Sequence, residues 1–408
     1  MSSDGWPAWC TNVVIATARY PGRGGVESVV SNLVPMFRSA GAQVQVISVF
    51  PGVGSPQTQT TTLFGRRPHL HERSITGSRR IALNSLRSLP LLVIKRWDIL
   101  TGRRRLRRLF TSLPHGTLII ATGPNVAHHL PVRMINAQPD RFMLAVQFHI
   151  PFETQLNVEG EDLPRSRSLS PDAFVAVNRS DAELFSDALG VECIAIPNPI
   201  ASPALVPAEP PRDRGAHAGR STVVSLSRLS GEKQLDRMMQ SFLRATEPEH
   251  LRHWRLDIYG EGDERLHLEE WIAQTPGATD RIRLMGWTDQ REAVLSAAAL
   301  LLSTSRFESF GMNVLEAAQH GTPTLAFACS PGITDLTRDL GGVLVDPDDD
   351  DAFVARLRQL LSAPEELDRM GRESRTRCEP YTAASVVQRW SRLVRRIGAA
   401  RDGAEGVR

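Results

Sequence analysis

The sequence predicts an α/β protein made of two doubly wound domains, each with a parallel sheet. Three observations predict it. Short apolar runs alternate with longer segments of helical periodicity. The alternation halts at a Pro-, Ala- and Arg-rich stretch, 196–220, and then starts again. The chain has 408 residues, more than one ordinary core accommodates, so two domains of about 200 residues each are expected.

The elements follow in order. "NVVIATA" (12–18) reads as a buried strand, followed by the glycine-rich turn "YPGRGGVES". "VESVVSNLVPMFRSAG" repeats apolar residues at helical spacing and stops at Gly41. "QVQVISVF" (43–50), "TLIIAT" (117–122), "FMLAVQFH" (142–149), "AFVAVN" (173–178) and "CIAIPN" (193–198) continue the strands. Residues 51–116 have weak periodicity and many arginines, and are expected to hold helices and mobile loops. After the linker come "STVVSLSRL", a helix near 234–245, "WRLDIYG", a helix near 264–274 and "IRLMG". A helix at 289–298, "ALLLSTS", a helix in "MNVLEAAQHG", "TPTLAFA", "GGVLVD" and a helix from about 350 complete the second domain. The boundaries are therefore 1–199 and 200–380, with the final helix, 381–397, able to pack back across the linker. Tandem α/β domains of this kind are expected to face one another, with a ligand cleft at the carboxyl ends of their strands.

Composition excludes several classes. Hydrophobic content of 41% and charged content of 23% are those of a globular protein. A net charge of +3 argues against a polyelectrolyte binder. Cys10, Cys193, Cys329 and Cys378 are scattered without zinc or redox spacing, and read as free thiols in a reducing cytoplasm. The N-terminus lacks the pattern of a signal peptide, and the longest apolar run, 293–303, is too short to span a membrane. The expected location is cytoplasmic. The only lysines are Lys95 and Lys233. Basic residues gather at 64–112, above all in "GRRRLRR" (102–108), which suits either a solvated helix face or contact with an anionic membrane or phosphate-bearing acceptor.

Four constellations carry chemistry. In "RFESFGMNVLEAAQHG" a turn joins a strand to a helix closed by Gly321. The N–H groups of Phe310, Gly311, Met312 and Asn313 lie at the helix start, where a phosphate is favoured by free donors and by the helix dipole. Gly311 permits close backbone approach. Glu308 precedes the helix and Glu316 lies one turn in, so the two can bracket a phosphate-linked ligand. The same spacing also suits two solvated carboxylates. In "SLSRLSGEKQLD", Arg228 and Lys233 follow a strand and can neutralise a diphosphate, or stand as exposed loop cations. "YPGRGGVE" lacks GxGxxG, and Gly24 and Gly25 serve either backbone recognition of phosphate or a structural turn. His149 ends a buried strand, where it is structural or faces the cleft.

Glu308 and Glu316, with seven residues between them in "FESFGMNVLEAAQHGTP", resemble the E-x7-E signature of the family-4 retaining glycosyltransferases. "SRLSGEKQ", "YGEGDE" and "RLMGWTD" match that family's other C-terminal motifs in order. "GGVE", "VQFHIP" and "AFVAVNRSDAELF…CIAIPNPI" fit its N-terminal landmarks. The resemblance is closest over 221–350. It implies the GT-B fold, with the donor nucleotide on the C-terminal domain and the acceptor on the N-terminal one. Glu316 would hold the ribose and Glu308 the donor sugar. Arg228, Lys233 and the amides of 310–313 would hold the diphosphate leaving group. Gly24 and Gly25 would approach the phosphate or acceptor, and His149 the donor sugar or acceptor. The co-substrate would be a UDP-sugar in preference to a GDP-sugar, with no further cofactor and no metal. "DPDDDD" (346–351) reads as a helix N-terminal region rather than a metal site. The loop 329–342 departs from the family pattern, with Asp335 where a glutamate is usual.

Three other readings compete with this one. A sugar-nucleotide epimerase of the same two-domain fold would not need these motifs in this order. A dinucleotide oxidoreductase would need GxGxxG. An arginine-rich protein binding nucleic acid or membrane without catalysis would need stronger charge and a recognisable motif; no nucleic-acid partner is expected. The acceptor, whether polymer, lipid or small metabolite, is not legible. The setting expected is synthesis of a cell-surface polysaccharide or a secondary metabolite.

Overall fold

In a computed structural model the alternation of apolar strands and helices produces two parallel sheets. The structure describes residues 5–22, 24–53, 56, 58–64, 89–159, 166–200 and 221–405. Two units are present: Met1–Ser202 with Ala383–Arg408, and Pro203–Thr382.

The first unit has a seven-stranded sheet in the order β3-β2-β1-β4-β5-β6-β7. Its strands are β1 (Asn12–Tyr20), β2 (Gln43–Pro51), β3 (Thr60–Thr62), β4 (Thr117–Ala121), β5 (Phe142–Phe148), β6 (Ala173–Ala176) and β7 (Cys193–Ala195), all paired in parallel. Every residue of β4 and β5 is buried, which explains their mostly apolar composition, broken only by Thr117 and Gln147: helices cover both faces. Helix α1 (Gly25–Ser39) buries Val29, Val30, Leu33, Val34, Met36 and Phe37. β7 ends early because Pro197 and Pro199 have no N–H for a ladder. The weakly periodic stretch holds β3, a strand not expected there, and helix α2 (Leu89–Ser112). Residues 65–88 of that stretch, with Arg66, Arg67, Glu72, Arg79 and Arg80, lie outside the described residues. The short helices α3 (Pro124–Ala127), α4 (Val132–Asn136) and α5 (Phe152–Glu159) follow. Asn178 caps α6 (Arg179–Leu189) by accepting the Asp181 N–H at 2.7 Å.

The second unit has a six-stranded parallel sheet in the order β10-β9-β8-β11-β12-β13. Its strands are β8 (Thr222–Leu226), β9 (Arg255–Tyr259), β10 (Ile282–Gly286), β11 (Leu300–Ser303), β12 (Thr324–Phe327) and β13 (Val343–Val345). Its helices are α7 (Leu235–Ala245), α8 (Arg265–Gln274), α9 (Arg291–Ala297), α10 (Met312–Gln319), α11 (Pro331–Asp339), α12 (Asp350–Leu361) and α13 (Pro364–Thr376). The single helix expected from about 350 is two, because Pro364 cannot continue α12 and instead opens α13. Asp349, within the acidic run, caps α12 by accepting the Ala352 N–H at 2.8 Å.

The last helix, α14 (Ala383–Glu405), packs on α1 in the first unit. Phe37 of α1 sits edge-on between Trp6 and the fully buried Trp390 of α14, with ring centroids at 5.1 and 6.1 Å. Among the described residues no helix is long and apolar enough to cross a membrane.

Candidate functional site at the switch point of the second sheet

Chain order reverses between β8 and β11, which are adjacent in the sheet. The loops leaving such neighbouring strands diverge, and the space between them is where doubly wound sheets take ligands. The loop after β8 carries Arg228 and Lys233; the loop after β11 carries Glu308.

Tight backbone packing shapes the first loop. A Cβ on Gly260 would lie 1.8 Å from the Ser227 carbonyl oxygen, and one on Gly262 would lie 2.2 Å from that of Leu229. Only glycine permits this approach, and it explains why "YGEGDE" and "SRLSGEK" belong together. The contact is sealed by the Leu229 N–H donating to Glu261 O at 3.0 Å and the Glu264 N–H donating to Leu229 O at 3.0 Å. The loop then closes through a 3₁₀ turn, Gly231–Lys233, and Gln234 adopts a left-handed φ of 48°.

The two loops meet at an ion pair. Lys233 Nζ donates to Glu308 Oε2 at 2.6 Å, with both side chains largely buried. Thr304 Oγ1, just past β11, donates to the carbonyls of Lys233 and Gln234 at 3.0 and 3.1 Å. The Arg306 N–H donates to Glu232 O at 2.7 Å. Ser330, before α11, has its Oγ on the backbone of Glu308: it accepts the Glu308 N–H at 3.2 Å and donates to the Glu308 carbonyl at 2.5 Å. Arg228 points outward, 68% exposed, and donates to Glu232 at 3.0 Å. Both expected diphosphate cations thus have a glutamate partner. An ammonium has three N–H donors, so the bond to Glu308 leaves Lys233 two more.

Helix α10 begins at Met312 after Gly311, whose φ of 89° suits glycine. No side chain caps it, and the N–H groups of Phe310, Gly311, Met312 and Asn313 donate no hydrogen bond to any described residue. Asn313 Oδ1 accepts instead from the Val314 N–H at 3.0 Å, while its Nδ2 donates to Leu226 O at 3.2 Å, tying α10 to the end of β8. The Phe310 ring is buried against Tyr381. Glu316, one turn along, is mostly buried and accepts from Arg291 Nη1 of α9. Burial raises its pKa, and Arg291 opposes the rise. Asp335 lies in α11, 3.8 Å from Arg338. Among the described residues no cluster of His, Cys, Asp or Glu could hold a metal ion.

The remaining candidates belong to the first unit. Gly24 and Gly25 begin α1 after β1, and a Cβ on Gly24 would lie 2.2 Å from Glu27 Oε2, whereas Gly25 has open space. His149 follows β5, is buried, and its Nε2 has no hydrogen-bond partner among the described residues. Burial pushes its pKa down from 6.5 to about 4, so the ring is neutral.

Ser330 and Arg291 are not legible in the sequence as site residues. Ser-Pro before a helical stretch signals a helix start, but nothing local says that the serine turns to Glu308. Arg291 opens a helix 25 positions before Glu316, and only the sheet order brings them together.

Residues 209–377 match the family model for glycosyl transferases, group 1. A pneumococcal O-GlcNAc transferase, GtfA, solved with UDP and GlcNAc, superposes with a TM-score of 0.71 at 15% identity, covering 95% of this chain and 99% of that one. The chain has the GT-B fold. Within that fold the group 1 match spans the whole second sheet and the site just described. An uncharacterised glycosyltransferase from Haemophilus influenzae is 22% identical over 91% of this chain and 96% of its own length. An exopolysaccharide phosphotransferase from Streptomyces coelicolor is 28% identical over 74% of this chain, which spans only 30% of that larger protein.

Proposed function

We propose that the chain is a retaining glycosyltransferase of family 4 that moves a sugar from a nucleoside-diphosphate sugar to a hydroxyl of an acceptor, whether polymer, lipid or small metabolite, without a metal. The observation that carries this is the 2.6 Å Lys233–Glu308 pair beside the unpartnered amides of 310–313, at the switch point of the sheet. A leaving diphosphate gains negative charge as its bond to the sugar breaks. The start of α10 offers N–H donors and a positive dipole end, and Lys233 offers a cation with donors to spare. Arg228 can leave Glu232 to meet the distal charge, since it is exposed.

In this reading Glu316 accepts the ribose hydroxyls and Glu308 faces the sugar. The anomeric carbon–phosphate oxygen bond breaks, the acceptor oxygen bonds to the same face, and the acceptor proton passes to the departing phosphate. Gly24, Gly25 and His149 act from the acceptor-side unit, 1–199, on phosphate, sugar or acceptor. UDP is the favoured nucleotide, in line with the UDP in the GtfA structure, and GDP is the second choice. The exposed arginines of α2 give the enzyme a peripheral hold on an anionic membrane from the cytoplasmic side. No observation favours the epimerase.

A thermal-shift panel of UDP-, GDP-, ADP- and dTDP-sugars tests the donor, because a bound donor raises Tm. One nucleotide class is expected to stand out, and Glu308→Gln is expected to abolish transfer from it without unfolding the protein. Normal transfer by that variant would remove the proposal. Epimerised free donor with no transfer would replace it with the epimerase.

A further inference from the structure

Glu308 is held at both ends. Lys233 fixes its carboxylate, and Ser330 fixes its backbone. The second hold is unusual in its chemistry. One buried hydroxyl donates to the carbonyl and accepts from the N–H of the same residue, using both of its hydrogen-bonding roles on one amino acid. The two peptide groups flanking a Cα set the direction of its Cα–Cβ bond. Clamping both therefore aims the side chain.

Ser330 occupies the position before α11 where a serine ordinarily accepts a hydrogen bond from the helix's first turn. It makes no such bond, and its backbone is extended, with φ −164° and ψ 159°. The helix begins without it: the Thr334 N–H donates to Ser330 O at 3.1 Å, and Pro331 has no N–H to satisfy. The hydroxyl is thus withdrawn from capping and given to Glu308.

We infer that Ser330 is a positioning residue, which aims the Glu308 carboxylate at the reacting sugar through a two-bond clamp on the Glu308 backbone. The inference rests on the glycosyltransferase reading of Glu308. Misplacing a reacting group by about 1 Å can cost up to about 100-fold in rate. Because the hydroxyl does not cap α11, its removal costs aim more than fold.

The test compares Ser330→Ala, Ser330→Thr and Glu308→Gln with wild type. Release of nucleoside diphosphate is followed for whichever of UDP-, GDP-, ADP- and dTDP-glucose gives the largest thermal shift. Ser330→Ala is expected to lower kcat at least about tenfold, leave nucleotide Kd within about twofold, and keep a near-native Tm. Ser330→Thr keeps a hydroxyl and is expected to restore kcat to within about threefold of wild type. Wild-type kcat in Ser330→Ala overturns the inference, as does equal loss in the Ala and Thr variants accompanied by a lowered Tm. Wild-type turnover in Glu308→Gln instead overturns the underlying reading of Glu308, independently of the serine variants.

Discussion

Arg291 Nη1 lies 3.0 Å from Glu316 Oε1 and 3.2 Å from Oε2, so one guanidinium nitrogen spans both oxygens of a carboxylate one turn into α10. Burial raises the pKa of Glu316 and Arg291 draws it back. In the proposed function a ribose hydroxyl donates to the ionised carboxylate, and nucleotide affinity is then expected to fall as pH falls through that raised pKa. Arg291→Ala leaves burial unopposed and shifts the loss to higher pH, which calorimetric titration of the nucleotide across about pH 5–8 detects. The linkage for stability has the opposite sense. A raised folded-state pKa favours the fold at low pH, and that contribution is lost as pH rises through it. Glu316→Gln should therefore melt no lower than wild type at about pH 8, while nucleotide binding weakens at least about tenfold.

Lys233 and Glu308 form one ion pair, and the proposed function has them act jointly. Lys233→Ala and Glu308→Gln are each expected to reduce kcat about 100-fold or more, and the double variant to be little worse than the poorer single one. Steady-state kinetics of wild type and the three variants measure the coupling. Additive losses would mean that the pair does not function jointly.

His149, with a pKa near 4, is neutral through the physiological range. Its NMR ring signals should not titrate between about pH 5.5 and 8. A depressed histidine pKa stabilises the fold above the ordinary value of 6.5, and that stability is lost as pH falls toward about 4. His149→Gln should blunt the fall in Tm over that window.

Arg237 joins three elements of the second unit. Its guanidinium lies 4.0 Å from the Phe327 ring centroid, donates to Asp350 Oδ1, and donates to Pro347 O at 2.5 Å. Arg237→Ala should cost about 2 kcal/mol in denaturant unfolding. Arg237→Lys should recover less than about half, because an ammonium cannot stack and fork together.

The α2 face presents Arg103, Arg104, Arg107 and Arg108 to solvent. Replacing all four with Gln should leave Tm unchanged within about 2 °C and weaken sedimentation with phosphatidylglycerol vesicles by at least about tenfold. Equal binding by the two proteins would assign this run to a solvated helix face.

Much of this architecture is legible in the residues. β4 and β5 are mostly apolar and do not alternate because both their faces are covered, and the glycines at 260 and 262 mark backbone contact. Glu308 and Glu316 stand out through their spacing around a helix start. Long-range pairings are not legible in the same way. Lys233 reaches Glu308 across 75 positions and Arg291 reaches Glu316 across 25, through a strand order that local periodicity does not encode. β3 has no sequence signal because Thr60–Thr62 is short and only half-buried, so no apolar run announces it. The hydroxyl of Ser330 has two outlets, helix cap or neighbouring loop, and sequence favours the first.

The return of α14 to the first unit has a practical meaning for anyone cutting this gene. The chain passes from one unit to the other and back, so the first unit is discontinuous in sequence, and Phe37 of α1 packs on Trp390 of α14, beyond the whole of the second unit. A truncation at the limit of the group 1 match, residue 377, strips Trp390 from the unit that needs it. A chimera that exchanges the first unit between relatives must carry both of its segments together, whereas 203–382 can be exchanged as one uninterrupted cassette.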